Sequence, residues 1–298
     1  MTVKITKPAL NLREELADLR KPSGIAGEAM LRASTVQEQR NLINAGRKNL
    51  IINGGFDVWQ RGDKPDRWHS AGNVTYDNSV TSHAKFTSTT TDPHVWYKLE
   101  DIGHRLLNKT VTMSLWAKHD TSATSAIQYF AYDGHAHQNP TPTGEVDSDG
   151  FERYEFSFVL SSSTQTDKHV FRFEWSGVSG ATFEVKEVQL ELGSVATEFE
   201  HRSYGEELAL CQRYYWRWEH DSGTSNGVYA SAPYETGNNR ITITFPVTLR
   251  ASPTVTFLIG TGSCIVDYRS PSNIGFYGTV PFRWDDTTAG HITADAEL

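Results

Sequence analysis

Residues 188–218 read VQLELGSVATEFEHRSYGEELALCQRYYWRW, and the hydrophobic period changes once within them. At the upstream edge, residues 183–190 nearly alternate apolar and polar side chains (Phe183, Val185, Val188 and Leu190 against Glu184, Lys186, Glu187 and Gln189). That is the pattern of a half-buried strand, whose successive side chains point to opposite faces. The strand should end near Glu191. Ser203 then precedes Glu206 by three residues, a spacing that lets the two side chains cap each other's backbone amides at a helix start. Leu208, Cys211 and Tyr215 follow at helical spacing, which predicts a short helix with these three on one face.

Outward from this join the chain is β-rich on both sides. Residues 111–117, 154–160 and 170–175 alternate or nearly alternate and are separated by Gly, Asp, Asn and Ser clusters. Half-buried strands at that spacing predict a jelly-roll β-sandwich over residues 49–200. Residues 227–229, 240–245, 254–259 and 264–268 predict further strands, so residues 201–298 read as the linking helix plus a second, smaller C-terminal β-sandwich. Pro246 and Pro253 bracket VTLRAS, and proline's missing donor marks that piece as a connection or sheet edge.

Residues 1–48 differ. Leu12, Leu16 and Leu19 fall at i, i+4, i+7, ending at Lys21-Pro22, and Thr35 with Glu38 forms another capping box before Gly46. A short N-terminal helical segment follows from this pattern. Its apolar stripe is too narrow to support an isolated helix in water, so the three leucines are expected to pack on a partner or on the body. The fold class is therefore mainly β.

Composition narrows the function. The net charge of -8 is spread along the chain with no basic block, which argues against a nucleic-acid partner. The charged N-terminus lacks a signal peptide's apolar core. No window approaches the roughly 20 apolar residues of a membrane span, and mean hydropathy is -0.49; no membrane insertion is expected. Cys211 and Cys264 read as two reduced thiols.

Three blocks, GIAGEAMLRASTVQEQRNLINAGRKNLIINGGFDVWQRG, VQLELGSVATEFEHRSYGEELALCQRYY and the terminal ITADAEL, together resemble modular bacteriophage tail-fibre and receptor-binding proteins with a carbohydrate-binding-module-like jelly roll. The resemblance implies a virion tail component assembled in the host cytoplasm. It implies a homotrimer that docks on another phage tail protein through the N-terminal segment and engages a host-surface polysaccharide. It also implies that the first and last jelly-roll strands lie side by side, where a structural calcium ion can sit; Asp57 and Glu191 are then candidate ligands. With threefold symmetry, Leu208, Cys211 and Tyr215 become the expected trimer contact.

Aromatic residues in turn-rich segments are the candidates for ligand contact. Trp96 and Tyr97 point to opposite faces of any strand, so one of them is expected to be available to a glycan. Phe276, Tyr277 and Trp284 lie in a loop-rich stretch and are the other candidates. Trp59, Arg61, Arg67 and Trp68 cluster in sequence and fit either sugar contact or core anchoring, with the arginines satisfying buried carbonyls or carboxylates. His135 and His137 follow the turn signal Asp133-Gly134 and read as exposed in a loop. No phosphate loop, nucleophile elbow or zinc-spaced histidine motif occurs, nor do the coils of a β-helical depolymerase. A non-enzymatic glycan-binding adhesin without a catalytic cofactor is the expectation; a structural virion adaptor and a surface-polysaccharide depolymerase are the alternatives.

Overall fold

The computed structural model describes residues 48–70, 74–77, 79, 83–89, 93–99, 106–119, 124–131, 135–138, 141–159, 169–176, 179–220, 229–230, 239–258, 264–278, 282–283 and 290–297. Leu12, Leu16, Leu19, the Thr35–Glu38 box and Trp284 lie outside the described residues. The chain divides into Met1–Lys48 and one compact unit, Asn49–Leu298.

That unit is mainly β. Its first eleven strands are β1 (Trp68–Ser70), β2 (Val74–Asp77), β3 (Ala84–Ser88), β4 (His94–Lys98), β5 (Thr110–His119), β6 (Thr124–Ala131), β7 (His135–Gln138), β8 (Pro142–Val146), β9 (Glu152–Val159), β10 (His169–Ser176) and β11 (Thr182–Leu192). They form a five-stranded sheet ordered β1-β4-β10-β6-β7 and a six-stranded sheet ordered β2-β3-β11-β5-β9-β8. All pairings are antiparallel. The alternation read from sequence sets the inner faces: Val95 and Tyr97 of β4, Val111, Met113 and Leu115 of β5, and Phe183, Val185, Val188 and Leu190 of β11 are buried in one core. Trp68 is its aromatic centre, with Phe56, Tyr97 and Phe173 rings at 4.9, 5.2 and 5.5 Å. Each such side chain contributes about 1.5–3 kcal/mol when fully buried.

The entry segment lies against β11, as the resemblance implies. Leu50 donates its amide to the Leu190 carbonyl at 2.8 Å and Val188 donates to the Gly54 carbonyl at 2.9 Å. Asn49 extends the ladder with its side chain, accepting from Ile51 and Leu190 amides and donating to the Val188 carbonyl. Gly54 leaves no room for a Cβ, which would collide with the Val188 carbonyl oxygen.

β5 is buried on both sides along most of its length. Its outward residues Thr112 and Ser114 are buried, and Thr112 is bonded to the strap at 193–200. The Thr112 hydroxyl donates to the Gly193 carbonyl at 2.8 Å, and the Gln189 amide reaches the carbonyls of Thr197 and Glu198. One face of the six-stranded sheet therefore carries a layer of backbone.

The capped helix α1 (Tyr204–Gln212) begins at Ser203, with both halves of the box formed. It ends sooner than its apolar spacing suggests. Tyr215 lies on β12 (Tyr215–His220), not on the helix, because residues 215–220 pair in register with residues 290–295 near the end of the chain. The remaining strands are β13 (Tyr229–Ala230), β14 (Asn239–Thr244), β15 (Thr254–Leu258), β16 (Ile265–Arg269), β17 (Asn273–Gly278), β18 (Phe282–Arg283) and β19 (Gly290–Asp295), in sheets ordered β12-β19-β15, β13-β18 and β14-β17-β16. Trp216, Phe245, Leu249, Ile274, Phe276, Ile292 and Ala294 form their core. The connection between Pro246 and Pro253 stays out of the sheets, anchored by Leu249 and Arg250 amides to the Pro271 and Arg213 carbonyls. Two loop assignments are corrected. His135–Gln138 is strand β7, paired to β6, and Phe276 and Tyr277 sit on β17, the middle strand of its sheet. Gly275 and Gly278 give β17 the look of a turn, yet Gly275 packs so closely on the Tyr268 ring that no Cβ would fit.

Candidate functional site

Strand alternation sorts the Trp96-Tyr97 pair. Tyr97 faces inward at 1% exposure, and its phenol oxygen accepts the Ile52 amide at 2.9 Å; it is a core residue and offers no surface to a glycan. Trp96 faces outward on β4, half-buried. In register beside it stand His69 of β1 and Arg172 of β10. The His69 ring is near-parallel to the Trp96 indole (5.8 Å, 16°), and His94 lies on its other side in sequence at 5.4 Å. The five-stranded sheet thus presents a short row of flat rings with a guanidinium in the next strand. Burial, reinforced by the nearby Arg67 charge and by Lys64, Lys98 and Arg61, pushes the His69 pKa down to about 3. The imidazole is therefore neutral near pH 7. Its 3.8 Å approach to Glu297 is a contact of a neutral ring and not an ion pair.

Behind this row lies a buried polar hub made from the Trp59–Trp68 stretch. Asn53 accepts the Val58 amide and donates to the Val58 and Asp66 carbonyls, at 2.9–3.0 Å. Trp68 donates its indole N–H to the Asn53 carbonyl. Arg67, 1% exposed, pairs with Glu297, donates to the Lys98 carbonyl at 2.8 Å, and lies 3.6 Å from the Tyr214 ring centroid. Burial works against its charge, but Tyr97, Glu297 and Tyr214 outweigh that and raise its pKa further. Arg61 lies 3.6 Å from the Tyr215 ring centroid and pairs with Asp295 at 3.1 Å. Asp66, beside Arg61, has its pKa raised to about 6, because burial exceeds the help from Gln60 and Arg61. Trp68 and both arginines are therefore structural, and the hub ties the jelly roll to the C-terminal strand.

The other candidates separate. Phe276 is fully buried in the second core, so it cannot stack on a ligand; Tyr277 beside it is partly exposed. Cys211 and Tyr215, at 0% and 7% exposure, are covered by their own chain and are not available as a trimer contact; Leu208 is partly exposed. Burial lifts the Cys211 pKa well above the usual thiol value. Asp57 is exposed. Glu191, 1% exposed, spends its oxygens on the Thr197 amide and hydroxyl, both at 2.8 Å, and the Gln189 amide at 3.0 Å. Its role is to hold the strap. Among the described residues, no group of three or more His, Cys, Asp or Glu side chains is gathered to hold a metal.

No family model matches the chain and no curated protein matches it. Among solved structures it is similar to TmCBM61 in complex with β-1,4-galactotriose, at 13% identity, covering 49% of this chain and 100% of that one, TM-score 0.33. It is likewise similar to the CBM22-1 xylan-binding domain of Paenibacillus barcinonensis Xyn10C, at 12% identity over 51% of this chain and 100% of that one, TM-score 0.34. A third is the enzymatically active domain of bacteriophage CBA120 tailspike protein 4, at 17% identity over 49% of this chain and 21% of that chain, TM-score 0.34.

Proposed function

We propose that this chain is a non-enzymatic adhesin that binds a host-surface glycan through the outward face of the five-stranded sheet, as a homotrimeric tail component of a phage virion. The observation behind the binding surface is the row of Trp96, His69 and His94 with Arg172 in register. An indole face stacks on the C–H surface of a sugar ring, while imidazoles and a guanidinium hydrogen-bond to its hydroxyls. The virion setting rests on the three sequence blocks that resemble tail-fibre proteins. Trimerisation suits the mechanism, since linked copies raise effective concentration and convert weak single contacts into firm attachment.

Glycan-array binding by the purified protein tests the surface. Signal should appear for wild type and disappear for Trp96→Ala, which leaves the core side of β4 untouched. An array without reproducible signal would instead favour a structural adaptor, and release of reducing ends from a bound polysaccharide would make the chain an enzyme. Docking is tested separately: Leu12, Leu16 and Leu19 changed together to Asp should leave virions without the protein while its β unit still folds. Particles that keep the triple variant overturn the docking role.

A further inference from the structure

The opposite side of the sandwich carries a cleft that the adhesion reading does not use. The strap held by Gln189 and Glu191 rises over the outer face of the six-stranded sheet and leaves a cleft of about 480 Å³ beside it. Trp116 of β5 and Arg153 of β9 are in register with each other and line it, and Phe199 of the strap lines it too. Arg153 is only 8% exposed. Its Nε donates to Glu155 at 3.1 Å, and its guanidinium lies 5.4 Å from the Trp116 ring centroid. The rest of its guanidinium borders the cleft. The lining also includes Glu145 and Glu187, neither of which is paired with a cation among the described residues. Glu187 is held at φ 53° at the irregularity in β11 where pairing with β5 slips.

We infer that this cleft binds an amine-bearing sugar, a glycan whose ring carries a free, protonated amino group. Trp116 and Phe199 supply apolar surface for the ring. Arg153 supplies donors for a hydroxyl or ring oxygen. Glu145, exposed on β8, and Glu187 supply the negative charge that an ammonium group seeks. The site rests on the glycan-binding reading for its ligand class and uses none of the residues of the Trp96 row.

The test is isothermal titration of the full chain with β-1,4-linked glucosamine trisaccharide, below the amine's pKa, against its fully N-acetylated counterpart. The free amine should bind one trisaccharide per chain, and acetylation should weaken binding by about tenfold or more, as expected for a lost charge-assisted hydrogen bond. Glu145→Gln with Glu187→Gln should cause a similar loss at an unchanged thermal midpoint, and Trp116→Phe a smaller one. Trp96→Ala should leave this binding intact even if it abolishes the array signal, which separates this cleft from the adhesion surface. Equal affinity for the two trisaccharides, no binding of either, or binding that survives the double Gln variant overturns the inference.

Discussion

The buried Arg67–Glu297 pair should control how firmly the C-terminal strand is held to the jelly roll. Arg67 sits between the Tyr214 ring and the Lys98 carbonyl at 1% exposure, with Glu297 at 9%. An exposed pair in such a place would contribute at most about 1 kcal/mol. With both charges withdrawn from water, removing one partner leaves the other uncompensated, at a cost of about 3–5 kcal/mol. Glu297→Gln keeps the volume and one acceptor, and Arg61, 3.7 Å from Glu297, is left with one fewer acid. The expected loss is therefore near the lower limit, about 3 kcal/mol, a large share of a typical domain stability of about 5–15 kcal/mol. Urea unfolding followed by tryptophan fluorescence gives the number, since Trp68 and Trp216 report the two cores. Arg67→Met alone should cost at least as much, because it also loses the Lys98 bond and the Tyr214 contact. The double variant should cost less than the two singles together, since no charge is then stranded. A Glu297→Gln loss under about 1 kcal/mol, or strict additivity, would refute the idea that this pair is desolvated and coupled.

Acidification gives a second measurement. The unfolded chain protonates His69 near pH 6.5 and the folded chain only near 3. Its contribution to stability is therefore present above pH 6.5 and lost as pH falls towards 3, by up to about 1.4 kcal/mol per pH unit. Asp66 runs the other way: raised from 3.8 to about 6, it favours the folded state below pH 3.8 and loses that contribution as pH rises through 6. The stability difference between wild type and His69→Gln isolates the first effect, and a difference that stays flat from pH 7 to 4 would show His69 to be solvated. Gly54→Ala should destabilise by about 1–3 kcal/mol or more, as overpacking against backbone does, because the Val188 carbonyl occupies the space a Cβ needs; an unchanged urea midpoint contradicts that packing. A thiol reagent should modify Cys264 in the native protein and reach Cys211 only on unfolding, given their half-buried and buried positions. Equal native reactivity of the two would show that α1 opens.

Local chemistry wrote the strands and the helix start directly into the sequence. Alternation located β5, β9, β10 and β11, and the Ser203–Glu206 spacing located the cap of α1, because each depends on neighbours a few residues away. Where local and long-range demands differed, the sequence misled. Gly275 and Gly278 suggested a loop where Tyr268 packing makes a strand, and Tyr215 kept helical spacing although β19, some 80 residues on, draws it into a sheet. The aromatic pair shows the same boundary at the site. Period two alone required that Trp96 and Tyr97 face opposite ways, but only the packing of Trp68 and Ile52 decided that Tyr97 is the inner one. The hub of Arg61, Arg67, Asp66 and Glu297, and the cleft of Trp116, Arg153 and Phe199, join residues from separate parts of the chain. Burial, ion pairing and concavity exist only once the sheets have closed, so tertiary structure alone decided both.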